Sequence, residues 1–153
     1  MKTLPLIGLA LALALSGLAC NNGSDTSSTT TATPPLVSET LSGTVNAAVG
    51  GVPQSAFNPF TVSAAGPASV TLTSAVLTNP DGTTNPSVVV GVAVGSLSGT
   101  TCNLGTGNNP QPLQASATST LSGTLSAGSF CVQVSDVTIQ KGPVAYTVVV
   151  MHP

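Results

Sequence analysis

Apolar residues in most of this chain recur at every second position, and this period is the strongest constraint on its fold. Val88, Val90, Val92 and Val94 share one face of an extended segment, and residues 144–151 repeat the arrangement. A period of two is that of a β-strand, whereas an amphipathic helix repeats about every 3.6 residues. Further alternating segments lie at residues 41–49, 60–62, 70–73, 121–125 and 130–134. The pattern predicts about seven or eight β-strands and no long helix beyond the N-terminal segment.

Turn-forming glycine, proline and asparagine residues separate these segments. Turns are expected at residues 50–53, 65–67, 79–82, 105–110, 127–128 and 141–143. Short alternating strands joined by such turns are typical of an all-β domain, an antiparallel β-sandwich or jelly roll whose two sheets share one core. The aromatic residues are expected to fill that valine-rich core: Phe57, Phe60, Phe130 and Tyr146.

The first twenty residues have the pattern of an export signal. Lys2 provides a positive start, residues 4–15 form an apolar run, and the small residues 16–19 precede Cys20. The segment resembles the signal of bacterial lipoproteins, which implies that Cys20 is acylated and becomes the first residue of the mature protein. Two alternatives remain open: ordinary secretory cleavage at the same place, and an uncleaved anchor, for which the run is short.

The cysteine count agrees with the lipid interpretation. The chain has three cysteines, and an odd number leaves one thiol unpaired in an oxidising compartment. If Cys20 carries lipid, Cys102 and Cys131 remain as a disulfide pair that closes a loop of about 30 residues. Two free thiols are the alternative. Metal binding is not expected, because two cysteines and one histidine are a poor ligand set.

The domain organisation follows from these segments. Residues 1–19 are predicted to be a signal peptide and residues 20–37 an anchor cysteine with a disordered Ser/Thr/Pro tether, because that stretch lacks large apolar side chains. Residues 38–153 are predicted to be the β-sandwich domain, which is long enough for a single core.

The charge composition excludes one class of partner. Charged residues make up 4 % of the chain, arginine is absent, and Lys141 is the one basic residue after the signal. Such a chain cannot assemble a phosphate-binding surface, so no nucleic-acid partner is expected. Calcium sites need clustered carboxylates, whereas Asp81 and Asp136 stand alone in the sequence, so neither a calcium site nor a cofactor is expected.

Candidate catalytic residues are few. His152 is the one histidine and is expected at a frayed strand end, and no Gly-x-Ser-x-Gly elbow is present. Glu39 with Asp136, or Asp81 with Asp136, could be read as a glycosidase pair, but carboxylates in loops are more often turn or capping residues. No catalytic residue is therefore assigned.

Two parts of the domain resemble the bacterial pre-peptidase C-terminal family. Residues 121–134 followed by 142–150 look like the end of such a domain, where a glycine turn precedes an aromatic-led strand. Residues 42–45, 57–62 and 68–73 are similar to its opening strands. The resemblance implies a jelly-roll-like accessory module of the kind often attached to secreted proteases, with relatives that bind matrix polymers or carbohydrate.

Together these features predict a non-enzymatic cell-envelope lipoprotein whose β-sandwich is a structural or binding accessory module. Its expected partners are the membrane, through the N-terminal lipid, and an envelope protein or polymer. The expected location is the outer membrane or cell surface, with a secreted or periplasmic protein as the alternative. A carbohydrate- or matrix-binding module is the second functional hypothesis, and a small exported hydrolase is the third.

Overall fold

The computed structural model describes residues 33–153, and within them the fold is an all-β sandwich of two antiparallel five-stranded sheets. No helix occurs in this part of the chain, which confirms the predicted fold class. The strands are β1 (Val37–Val45), β2 (Ser55–Val62), β3 (Gly66–Thr78), β4 (Thr84–Asn85), β5 (Val89–Ser98), β6 (Thr101–Asn103), β7 (Gln111–Gln114), β8 (Thr120–Leu125), β9 (Gly128–Asp136) and β10 (Val144–His152).

Each sheet has three long strands side by side. Two short strands share its fourth position. In the first sheet the order is β1-β10-β3, and β8 and β4 pair with opposite halves of the free edge of β3. In the second sheet the order is β2-β9-β5, and β7 and β6 pair with opposite halves of β5. Both sheets therefore end in an edge made of two separate short strands.

The core lies between the sheets and consists mainly of branched aliphatic side chains. Val148 and Val150 of β10 face inward beside Val70 and Leu72 of β3, and all four are buried. The facing sheet contributes the inward positions of β5 and β9: Val90, Val92, Val132 and Val134. The period of two in the sequence is thus the alternation between this core and the outer faces.

Residues 33–153 form ten strands, more than the predicted number, because β4, β6 and β7 are only two to four residues long. A period of two cannot be recognised in so short a segment. The strand predicted at residues 41–49 is also displaced and runs from Val37 to Val45. Val49 instead pairs with Val52 around Gly50 and Gly51, both of which have positive φ, in a tight turn.

The N-terminal predictions fall outside the part of the chain that the structure describes. The predicted signal peptide and Cys20 precede residue 33, where the described part begins. β1 begins at Val37, one residue before the predicted domain boundary. Within residues 33–153, no helix is long and apolar enough to cross a membrane.

One of the four aromatic residues does not lie in the core, contrary to prediction. Phe60 and Tyr146 are buried and Phe130 packs against the core, but Phe57 is 38 % exposed. Successive side chains of a strand point to opposite faces, and β2 directs Asn58 and Phe60 inward, so Phe57 points outward. The ring lies on the outer face of the second sheet, opposite Gln133 of β9.

A polar contact closes the sandwich along the seam between β1 and β2. The Tyr146 hydroxyl donates a hydrogen bond of 2.6 Å to Oδ1 of Asn58, whose Nδ2 donates one of 3.1 Å to the Ser42 carbonyl. Gly43 makes room for this ring, because a Cβ there would stand 2.5 Å from the hydroxyl oxygen. Burial raises the pKa of the Tyr146 phenol, so the hydroxyl keeps the proton that it donates.

Candidate functional site

The opposite seam of the sandwich is open and forms a groove of about 480 Å³. One wall is β8 with the adjoining half of β3, and the other is β5 with the segment from Asn103 to Gln111. The volume lies in the range of small-molecule sites, about 300–1,000 Å³. We take this groove as the candidate functional site.

The groove exists because the edge of β5 is interrupted. β7 pairs with residues 89–92 of β5 and β6 pairs with residues 96–98, so residues 93–95 have a strand partner in β9 alone. On the other wall, β8 pairs with β3 and contributes Leu121 and Leu125 to the lining. The two unpaired edges thus face the same opening and expose part of the core.

The lining combines an apolar floor with an uncharged polar rim. The floor contains Phe60, Phe130, Val70, Val92, Val94 and Val150. The rim carries amides and hydroxyls, from Asn103, Asn108, Asn109, Gln111 and Ser122. Among the described residues, those lining the groove include no ionisable side chain. The site can therefore make apolar contacts and neutral hydrogen bonds.

A disulfide holds one wall of the groove in place. Cys102 of β6 is bonded to Cys131 of β9, which confirms the pairing predicted from the cysteine count. Cys131 is fully buried on the face of β9 opposite the core, because it alternates with the inward residue Val132. The bond fixes the start of the loop formed by residues 104–110 at the second sheet.

Two glycines of β5 let this loop lie close to the sheet. A Cβ on Gly95 would stand 2.5 Å from the carbonyl oxygen of Asn103, and a Cβ on Gly91 would stand 2.8 Å from Cβ of Pro110. Real Cβ atoms do not approach other heavy atoms so closely, so any larger residue would displace the loop. The sequence shows these glycines within a valine-rich strand, but the need for glycine there comes from the contact with the loop, which only the tertiary structure shows.

Asp81 and Asp136 have the turn and capping roles that the sequence favoured over catalysis. Oδ1 of Asp81 accepts hydrogen bonds from the side chain and backbone of Thr83, and these lower the pKa of the carboxyl. Asp136 is buried, and its two oxygens accept hydrogen bonds from the backbone N–H groups of Thr138 and Gln140. Neither carboxylate lines the groove.

His152 is not at a frayed end, so that expectation was wrong. Only 2 % of the residue is exposed, and Nε2 lies 3.1 Å from Oε1 of Glu39. Nδ1 lies 3.0 Å from the carbonyl oxygen of Pro153. β10 is paired on both sides, by β1 and β3, and this holds its last residues in place. Both ring nitrogens thus have a partner within the fold, and the ring packs behind Phe60, with centroids 5.5 Å apart, without lining the groove itself.

The described residues offer no obvious place for a metal. In residues 33–153, no three His, Cys, Asp or Glu side chains are grouped as metal ligands would be. The absence of a cofactor stays a prediction from the sequence.

Sequence reasoning did not find the groove. Two of its rim residues, Asn108 and Asn109, come from the turn predicted at residues 105–110, and its floor comes from strands predicted as core. The density of asparagine and glycine at residues 103–109 was the one available signal, and it is also the signal of an ordinary turn.

Comparisons with known proteins give little further information. No family model and no curated protein matches the chain. Among solved structures, the chain is similar to a part of the isomalto-dextranase of Arthrobacter globiformis T6, determined in complex with panose. The identity is 14 %, the TM-score is 0.41, and the match covers 70 % of this chain and 17 % of the enzyme. This chain thus spans less than a fifth of that protein's length.

Proposed function

We propose that this protein is a non-enzymatic cell-envelope lipoprotein whose β-sandwich is a binding module for an uncharged component of the envelope. The observation that carries the proposal is the groove, with its apolar floor, its amide and hydroxyl rim, and its lining without ionisable side chains. The ligand is a neutral polymer or a neutral protein segment.

The chemistry of the groove favours a neutral ligand over a charged one. A charged group entering it would lose hydration without gaining an opposite charge, and such desolvation is strongly unfavourable. A neutral ligand with an apolar face can cover Phe130 and Val94, while its hydroxyl or amide groups pair with Asn108 and Gln111 at the rim. The groove therefore selects against charge.

The proposed location has two lines of support. Disulfides persist in oxidising compartments, so the Cys102–Cys131 bond favours an extracytoplasmic protein. The low content of charged residues suits the same environment. Lipid attachment at Cys20 is proposed from the signal pattern, with ordinary secretion as the alternative.

Replacing Cys20 with alanine is expected to abolish incorporation of labelled palmitate and to move the protein from the detergent phase to the aqueous phase. The physical reason is that the acyl chains bury their methylene groups in the bilayer. Cys102→Ala/Cys131→Ala is the matched control and should retain the lipid. Palmitate incorporation that survives Cys20→Ala would exclude the lipoprotein assignment.

A second candidate function, a carbohydrate- or matrix-binding module that uses an aromatic surface, is favoured by Phe57. The ring is 38 % exposed on the outer face of the second sheet, with Gln133 opposite it. An exposed ring next to an amide is a platform on which a sugar can stack and form a hydrogen bond. This site lies on the face that points away from the core.

One binding experiment separates the two candidates. The full-length protein is titrated with a panel of neutral oligosaccharides and with their carboxylated counterparts. We expect saturable binding of a neutral compound by the wild type and at least about tenfold weaker binding by Gly123→Leu. Gly123 lines the groove and a Cβ there contacts nothing, so the leucine side chain occupies the space of the ligand without clashing with the fold. Thr124→Leu, on the outer face of the same strand, is the matched control and should bind like the wild type.

The outcome with Phe57→Ala decides between the sites. Unchanged binding by Phe57→Ala together with loss in Gly123→Leu supports the groove, and the reverse pattern supports the outer-face platform. Preference for the carboxylated compounds would contradict the proposed selection against charge.

A further inference from the structure

The end of the sandwich formed by the β1–β2 and β9–β10 loops presents a cluster of exposed aliphatic side chains. Val49 is 68 % exposed, Val52 60 % and Ile139 55 %. The backbone N–H of Ala48 donates a hydrogen bond of 3.1 Å to the carbonyl of Gln140, which joins the two loops. We call residues 48–52 with 137–140 the distal tip.

The distal tip is held in shape by the buried carboxylate of Asp136. Its oxygens accept hydrogen bonds from the N–H groups of Thr138, at 3.0 Å, and Gln140, at 2.7 Å, which are the two neighbours of Ile139. Ile139 itself has a φ of 56°. A β-branched residue in this left-handed region is strained, and such strain persists where the surrounding structure imposes it. The fold thus holds the aliphatic side chain of Ile139 in solvent, where it gains no stabilisation from burial.

The other loop of the tip is narrow. Gly50 and Gly51, between Val49 and Val52, both have positive φ and carry no side chain. Two valines therefore flank a thin two-residue turn. The charged groups near the tip are Lys141, Asp81 on the β3–β4 turn, and the inward Asp136. None of them belongs to the exposed aliphatic cluster.

The groove runs along β5 and β9 away from the tip. Asp136, where the tip loop begins, is paired with Val90, whereas the groove touches β5 from Val92 to Ser96. At about 3.3 Å per residue, the near end of the groove floor, where Val92 lies opposite Val134, is about 7 Å along β9 from Asp136, and the far end, at Phe130, is about 20 Å from it. One chain thus carries both a projecting apolar surface and a separate apolar recess.

We infer that the distal tip of one copy of this chain docks into the groove of a second copy. The inference rests on the proposed function only in using the same groove as a binding site. The thin turn with its two valines enters between the edges of β8 and β5, and Ile139 covers the adjoining rim. Both surfaces are free of ionisable side chains, so neither desolvates a charge on contact.

The geometry of this contact determines the type of assembly. The contact joins two different surfaces, so it is heterologous and leaves one free tip and one free groove on every pair. Repetition builds a ring where the rotation between copies closes and an open head-to-tail chain where it does not. In residues 33–153, charge repulsion between copies is small because the charged side chains are few: Glu39, Asp81, Asp136 and Lys141.

A complementation experiment tests the contact with the full chain in detergent. One version carries an epitope inserted after Thr31, in the Ser/Thr-rich segment, and captures an untagged version. The tip variant is Val49→Ser/Val52→Ser/Ile139→Asn, in which asparagine tolerates the left-handed backbone. The groove variant is Gly123→Leu, and Met151→Ser and Thr124→Leu are controls at exposed positions outside both surfaces.

The expected pattern is specific to a heterologous contact. Wild type captures wild type, tip variant fails to capture tip variant, and groove variant fails to capture groove variant, each loss being at least tenfold. Tip and groove variants mixed together restore capture, because one supplies an intact groove and the other an intact tip. Both controls behave like the wild type.

Three results would overturn the inference. They are absence of capture between wild-type copies, capture that the tip substitutions leave unchanged, and failure of the mixed pair. Retention of the disulfide and of a cooperative unfolding transition in each variant shows that the loss is not misfolding. Because no ligand is added, these results are independent of the oligosaccharide titration: the tip variant retains ligand binding if the groove function alone is correct.

Discussion

Reduction of the Cys102–Cys131 disulfide is expected to lower the free energy of unfolding by about 3 to 4 kcal/mol. The two cysteines are 29 residues apart in the sequence, and the bond restricts that loop in the unfolded chain. For a domain of this size, the loss corresponds to a decrease in Tm on the order of 10 °C.

Urea unfolding of the oxidised and the fully reduced protein measures this difference. The control is Cys102→Ala/Cys131→Ala, which should be insensitive to the reductant and should unfold at a lower urea concentration than the oxidised wild type. Coincident unfolding curves with and without reductant would show that the bond contributes nothing to stability.

The second large effect is expected at Gly142, just before β10. A Cβ at this position would overlap the carbonyl oxygen of Thr78, at the end of β3. The overlap is with backbone, which cannot rotate away as a side chain can. The same region is joined by a hydrogen bond of 2.9 Å from the Thr78 N–H to the Pro143 carbonyl. Gly142→Ala must therefore separate β10 from β3 locally, and we expect a loss of about 3 kcal/mol.

Gly123→Ala is the matched control for this substitution. A Cβ on Gly123 meets nothing within 4 Å, and its φ is not in the left-handed region. The same glycine-to-alanine change should leave stability unaltered or raise it by up to about 1 kcal/mol, because alanine restricts the unfolded chain. Equal midpoints of thermal unfolding for the two variants would mean that steric overlap at Gly142 is not the cause.

The disulfide links the stability of the domain to its candidate site. It fixes the start of the loop that supplies Asn108 and Asn109 to the groove rim, while Gly91 and Gly95 let the same loop lie on β5. Preorganised polar groups of this kind bind a ligand without a further cost in loop ordering. The bond thus serves both the fold and the shape of the groove.

The main features of the fold could be predicted from the sequence because they depend on local periodicity. The alternation in residues 88–94 and 144–151 marks central strands, and Val92, Val148 and Val150 are fully buried. The disulfide could be predicted because the count of cysteines, with Cys20 assigned to lipid, leaves one pair. The turn roles of Asp81 and Asp136 depend on the residues that follow them directly in the chain.

Other features could not be predicted because they depend on how distant segments meet. The environment of His152 is decided by Glu39, 113 residues away, and by strands on both sides of β10. Phe57 is exposed because the next residue, Asn58, points inward. There Asn58 accepts the hydrogen bond of Tyr146, which lies on another strand. The composition of β2 is the same whether Phe57 or Phe60 is the buried ring, so composition alone does not show which of the two faces the core.

The sequence by itself thus determined an all-β sandwich with a valine-rich core and a Cys102–Cys131 bond, since strand period, turn residues and cysteine count are local or additive properties. Only the tertiary structure decided that one seam is closed by Tyr146 and Asn58 while the other is open as an uncharged groove. The reason is that the seams are made by strands far apart in the sequence. Whether two sheet edges meet or leave a gap depends on register and strand length, which no single segment specifies.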